Sequence, residues 1–225
     1  RMELKPETEP LIYRAFIEGA GTRGIGVGYP ERANLAWDAN DMRPALIWQG
    51  QFIDAARHRT GRGEGFQPPL GENVIALPPG APFASLASQT ASWPMTAARE
   101  QGYQMKGYRF DAQRRPIFQF RFNGIEVSDA FTPVATKFDA EFRRELTLKN
   151  ADGNSRAPLY FRAAVGAISE GTGVYTVDGR LKIKLKVTGG GKPFLREEGG
   201  KQELLAPITL DRKSTRLNSS HSSVS

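Results

Sequence analysis

The chain has 225 residues, 31 of them lysine or arginine and 24 aspartate or glutamate, so its formal charge is +7. An apolar content of 39% with 10% aromatics belongs to a folded globular chain rather than a disordered one, and the length suits one large β domain. The absence of cysteine excludes disulfides, thiolate metal sites, a cysteine nucleophile and haem attached through C-x-x-C-H, and no apolar run approaches the roughly 20 residues of a membrane-spanning helix.

From the N-terminus, strand signals fall at residues 12–17, 34–38 and 45–48. A short helix is the most that residues 54–59 allow. Residues 60–94 differ in kind. Gly61, Gly63, Gly65, Gly71, Gly80 and six prolines break any period, yet Phe66, Leu70, Val74, Ile75, Leu77 and Phe83 are too apolar for a solvated linker. An irregular excursion packed over the rest of the domain is expected there.

Strand signals resume at residues 103–110, 117–122, 125–127, 142–148, 159–165, 173–177 and 203–210. Residues 181–187 alternate strictly, with Leu181, Ile183, Leu185 and Val187 on one face and Lys182, Lys184 and Lys186 on the other, the period of a half-buried strand. The lysine face reads as solvated or as an edge guarded against aggregation. Asn123-Gly124 and Asp178-Gly179 sit between β runs and predict hairpins. The whole predicts an all-β fold, an antiparallel β-sandwich over residues 5–210 with the excursion at 60–94.

Five constellations carry chemistry on paper. Gly19-Ala-Gly21-Thr-Arg-Gly24 is a literal G-x-G-x-x-G, but a dinucleotide site needs a helix to follow, and Ile25-Gly-Val-Gly-Tyr-Pro30 does not make one, so a β-turn or bulge is expected. Asp38-Ala-Asn-Asp41 opens like a calcium loop, yet Arg43 and Gln49 stand where an EF-hand wants Gly and Glu. That leaves an irregular calcium site through Asp38, Asn40 and Asp41, or a turn whose side chains bond their own backbone. His58 is the only histidine before the C-terminal tail. It is either a surface residue between Arg57 and Arg59 or part of a polar pocket in which Asp54, Arg57, His58 and Arg62 converge on an anionic or hydroxyl-rich ligand. Trp37, Trp48 and Trp93 could stack on a sugar ring or be core. A carboxylate pair for sugar chemistry would draw on Asp38, Asp54 and Glu64.

The candidate ligand-binding set is therefore Trp37, Asp38, Arg43, Trp48, Asp54, Arg57, His58 and Arg62, with no residue assigned as catalytic or metal-binding. Three readings follow. A non-catalytic module binding carbohydrate or docking neighbouring domains calls for a shallow surface lined by some of these side chains. A sugar-active enzyme calls for a cleft with two of the acids, at least one desolvated. A purely structural domain would scatter them.

The segments 12–21, 24–30, 34–40, 45–54 and 61–71 resemble a β-rich domain of large exported proteins of planctomycete-type bacteria, where it lies near c-type cytochrome and sugar-dehydrogenase-like modules. The resemblance covers most of residues 10–210. It implies a periplasmic or otherwise extracytoplasmic location, neighbouring domains of the same chain as partners, and haem only elsewhere in the parent protein; no cofactor is expected within this segment, nor nucleic acid as a partner. The chain opens on Arg1 and reads as a fragment. Residues 211–221 resemble one reading frame of a sequencing-adapter DNA, and residues 211–225 are expected to form an artefactual or disordered tail outside the domain. They hold three bases against one acid, so without them the charge falls to +5.

Overall fold

The computed structural model describes residues 2–56, 65–153, 158–210 and 214–224. Its strands are numbered in chain order and form four antiparallel sheets. A five-stranded sheet has the order β2 (Leu11–Ile17), β3 (Gly21–Gly28), β4 (Ala33–Asp38), β5 (Arg43–Gln49), β7 (Glu72–Ala76). A four-stranded sheet runs β17 (Phe194–Glu198), β18 (Lys201–Ile208), β13 (Leu159–Gly166), β8 (Phe83–Ser85). The largest sheet has eight strands: β14 (Ile168–Gly171), β15 (Val174–Val177), β16 (Leu181–Thr188), β19 (Thr215–Ser223), β12 (Glu141–Asn150), β11 (Ile125–Val134), β10 (Pro116–Phe122) and β9 (Tyr103–Phe110). A small pair, β1 (Glu3–Leu4) with β6 (Ile53–Asp54), makes the fourth sheet.

Side-chain alternation explains the layering. Along β10, β11 and β12 every second residue is buried, so Phe118, Phe120, Phe122, Ile125, Val127, Phe131, Phe142, Leu146 and Leu148 point one way and polar residues the other. That face meets the five- and four-stranded sheets together. Trp37 of β4 stacks on Phe118 at 4.4 Å between ring centroids and an interplanar angle of 3°, while Phe83 of β8 stacks on Phe122 at 5.5 Å. The result is a β-sandwich with one continuous aromatic core, in which each fully buried phenylalanine contributes roughly 2–3 kcal/mol of burial free energy.

Both smaller sheets are also covered on their outer faces. Behind the five-stranded sheet, Ile17, Ala36, Leu46, Trp48, Phe52 and Ile53 form a second apolar cluster. Glycines make this packing feasible: a Cβ on Gly28 would lie 2.8 Å from Phe52 Cγ, and one on Gly26 3.0 Å from Ile53 Cδ1. The glycine run of the G-x-G-x-x-G segment is thus a turn at Gly19 and Gly21, both at positive φ, followed by a strand whose bare face admits the Phe52 ring. Behind the four-stranded sheet, Trp93, Leu86, Tyr160 and Leu205 cluster.

The hairpins expected at Asn123-Gly124 and Asp178-Gly179 are present, with all four residues at positive φ. Other expectations need correction. The excursion at 60–94 is not wholly irregular, because Glu72–Ala76 adds β7 to an edge of one sheet and Phe83–Ser85 adds β8 to an edge of another. Within 54–59, where a short helix was the most expected, Asp54 ends strand β6, Ala56 has 3-10 geometry, and residues 57–59 lie outside the described part.

The largest departure is at the C-terminus. Thr215–Ser223, part of the segment expected to form an artefactual or disordered tail, is not disordered but is the fourth strand of the eight-stranded sheet, hydrogen-bonded to β12 and β16 on its two sides. Composition misleads here because serine and threonine read as solvated, whereas the facing edges of β12 and β16 offer two rows of backbone donors and acceptors that an extended segment satisfies whatever its side chains.

Candidate functional site

Of the eight candidate residues, the five that are described, Trp37, Asp38, Arg43, Trp48 and Asp54, do not converge. Trp37 is fully buried, its Nε1 donating to Asp129 Oδ2 at 3.3 Å. Trp48 is fully buried in the second cluster and donates to the Gln51 carbonyl at 2.9 Å. Trp93 is 4% exposed and donates to the Ala81 carbonyl. None of the three offers an open face, so the tryptophan sugar platform is replaced by three core residues. The cause lies in the layering: β4 is buried along its entire length, on both sheet faces, so a tryptophan on either face is inside.

Asp38 and Arg43 are brought together as cross-strand neighbours 3.5 Å apart. Asp38 Oδ1 accepts the backbone N–H groups of Asn40 (2.9 Å) and Asp41 (3.4 Å), the self-bonded turn foreseen for this segment. Asn40 donates to Thr22 Oγ1, and Asp41 Oδ1 accepts from the Ala98 N–H. Burial raises the Asp38 pKa, opposed by the Asn40 N–H and by Arg43. Arg43 also donates to the carbonyls of Leu77 and Pro78, tying β5 to the segment after β7. Asp54 accepts the N–H groups of Met2 and Ala56 and so belongs to a different corner of the fold. Arg57, His58, Arg62 and Glu64 lie outside the described residues.

Sequence reasoning missed the charges inside the sandwich. Arg144 of β12 holds Asp129 of β11 through two hydrogen bonds of 2.7 Å each, with side chains 5% and 0% exposed. The guanidinium lies 5.3 and 5.4 Å from the ring centroids of Phe131 and Phe161. On the other smaller sheet, Glu203 is shared between Arg162 (3.0 Å) and Arg196 (2.9 Å), and these arginines also take the carbonyls of Pro79, Gln89 and Ala91, pinning residues 79–91 to that sheet. Burial lowers the Arg162 pKa, opposed by Glu203. The signal was present: Asp129 falls in phase between Val127 and Phe131, and Arg144 between Phe142 and Leu146, so each charge interrupts an apolar period.

These buried charges are mutually compensated, an arrangement that holds segments together rather than one aimed at a substrate. Among the described residues no cluster of three histidines and carboxylates could hold a metal ion, and no helix is long and apolar enough to cross a membrane.

The uncompensated charge lies on the outside of the eight-stranded sheet. Lys182, Lys184 and Lys186 are exposed on β16, and among the described residues no carboxylate comes within ion-pair distance of them. Small side chains on β19 leave two shallow grooves beside them. One, of about 570 Å³, is bordered by Thr132, Arg143, Glu145, Lys184, Lys186 and Asn218. The other, of about 590 Å³, is bordered by Glu141, Glu170, Lys182, Lys184 and Ser220. The arrangement suits an elongated, acidic polymer laid along the sheet better than a small molecule enclosed in a pocket. No protein-family model, curated protein or solved structure matches the chain.

Proposed function

We propose that the chain is a non-catalytic β-sandwich module that docks another polypeptide on the outer face of its eight-stranded sheet. The observation that carries this reading is the row Lys182, Lys184 and Lys186, left without acidic partners beside two open grooves. Burial of all three tryptophans favours docking over carbohydrate binding, the other half of the same expectation. The sugar-active enzyme is the weaker reading because Asp38, the desolvated acid among its described candidates, is spent on a turn and on Arg43. Resemblance in sequence supports the wider setting, an extracytoplasmic multidomain protein with haem carried elsewhere in the parent chain and neighbouring domains as partners.

The test is binding of a glutamate-rich 20-residue peptide, followed by fluorescence anisotropy, against the variant K182E/K184E/K186E. Wild type should bind with an affinity that falls as salt rises, and the variant should not bind. Turnover of soluble oligosaccharides that survives the triple substitution and disappears in Asp38→Asn would overturn the reading.

A further inference from the structure

Strand β19 is a poor match for the place it fills. Among the described residues it alone links β12 and β16, pairing along its length with both, from Leu148↔Thr215 to Glu141↔Ser222 on one side and from Thr188↔Arg216 to Leu181↔Ser223 on the other. Its inward residues are Thr215, Leu217, Ser219, His221 and Ser223. Their cross-strand neighbours are Leu148, Leu146 with Val187, Arg144 with Leu185, Phe142 with Ile183, and Leu181. The site is built for apolar side chains and receives one leucine.

The mismatch is greatest in the middle. At the ends the hydroxyls are used: Thr215 donates to the Thr209 carbonyl at 2.6 Å and Ser223 Oγ accepts the Ala140 N–H at 2.8 Å. Ser219 and His221 have no such anchor among the described residues. His221 is buried beside Arg144, and its edge forms one wall of a partly open crevice whose other walls include Arg43, Pro78, Phe161 and Arg162. Burying an imidazole against a guanidinium is costly, and a branched aliphatic side chain there would carry no such cost.

The outward register adds a charge preference. Ser222 lies between Lys182 and Glu141, and Asn218 between Lys186 and Glu145, so each faces one charge of either sign. Ser220 lies between Lys184 and Arg143 and faces two positive charges. A carboxylate at that one position would pair with both.

We infer that the slot between β12 and β16 is a strand-acceptor site, which takes from another polypeptide an extended segment with apolar residues at alternate positions and an acidic residue opposite Lys184 and Arg143. Residues 215–223 hold this slot as a weak, displaceable occupant. Backbone hydrogen bonds would supply affinity and the inward pockets specificity, as in strand-addition complexes generally. The inference rests on the docking reading and names the partner's form.

The probe is a labelled nine-residue peptide copying 215–223 with S219V, S220E, H221I and S223V, added to the full chain and followed by fluorescence anisotropy. It should bind wild type, and at least about tenfold more weakly a chain that itself carries S219V/H221I, because that chain's own improved strand competes at the high effective concentration of a tethered segment. The same double variant should melt about 5 °C above wild type, showing that it is folded and its slot better filled. A peptide carrying lysine instead of glutamate at position 220 should bind several-fold more weakly.

Equal binding to the two chains, or a double variant that melts below wild type, overturns the inference. If peptide binding is abolished by K182E/K184E/K186E but unchanged by S219V/H221I, surface docking stands and strand exchange falls.

Discussion

Acidification should destabilise the protein through His221. This imidazole is 4% exposed, and burial, reinforced by the Arg144 charge, lowers its pKa from 6.5 to about 3. In the unfolded chain it titrates near 6.5, so below that pH the unfolded state binds a proton that the folded state refuses. Stability attributable to this group is intact above pH 6.5 and is lost as pH falls from there toward 3, at about 1.4 kcal/mol per pH unit. At pH 4.5 the loss is about 2–3 kcal/mol, which for a domain of this size lowers the melting temperature by about 5–10 °C. Asp38 acts in the opposite sense, since its raised folded pKa lets the native state take a proton first, so wild type must be compared with His221→Ile, in which Asp38 is unchanged. The assay is thermal unfolding of both proteins at half-unit steps from pH 7.5 to 4.5. The difference in melting temperature should widen steadily below pH 6.5. Parallel curves would mean that His221 is accessible to protons in the native state and would refute the placement of β19.

Other perturbations probe the rest of the fold. Asp129→Ala strips Arg144 of its bidentate partner inside the core and should cost about 3–5 kcal/mol in urea denaturation, whereas D129L/R144M, which removes both charges, should recover most of that loss. A loss of less than about 1 kcal/mol in the single variant would place the pair at the surface. Gly28→Ala puts a methyl 2.8 Å from the Phe52 ring and should destabilise by about 1–3 kcal/mol, relieved by the second substitution Phe52→Leu; no relief would mean that β3 does not pack on Phe52. Trp37→Phe should lower the melting temperature while leaving binding of the glutamate-rich peptide unchanged, since Trp37 lies in the core and the lysines on the outer face. Weakened peptide binding at constant stability would contradict that division.

The legible strands were those with one wet face. Leu181–Thr188 declares itself because its lysines and aliphatics alternate, and Pro116–Phe122 because three phenylalanines recur at every second position. Strand β3 was hidden by its glycines, which are strand-poor by propensity and are required here by the rings packed against them. Strand β19 was hidden by serine, whose burial follows from backbone pairing on both sides rather than from apolarity. The tryptophans of the candidate site misled for a related reason. In β4 and β5 both faces are covered, so period-2 alternation no longer separates inside from outside, and tryptophans that could have lined a surface are core. What could have been found is the pair Asp129 and Arg144, each a charge in phase with apolar neighbours on adjoining strands.

Amide hydrogen exchange on the full chain, with and without the alternating apolar peptide, tests the central position of β19 and its exchange most directly. In the free chain the amides of 215–223 should be protected, though less than those of β11 and β12, and addition of the peptide should release 215–223 while leaving β11 and β12 protected. Exchange of 215–223 at the rate of an unstructured segment in the free chain would contradict its place in the sheet, and protection unaltered by bound peptide would contradict the strand-acceptor slot.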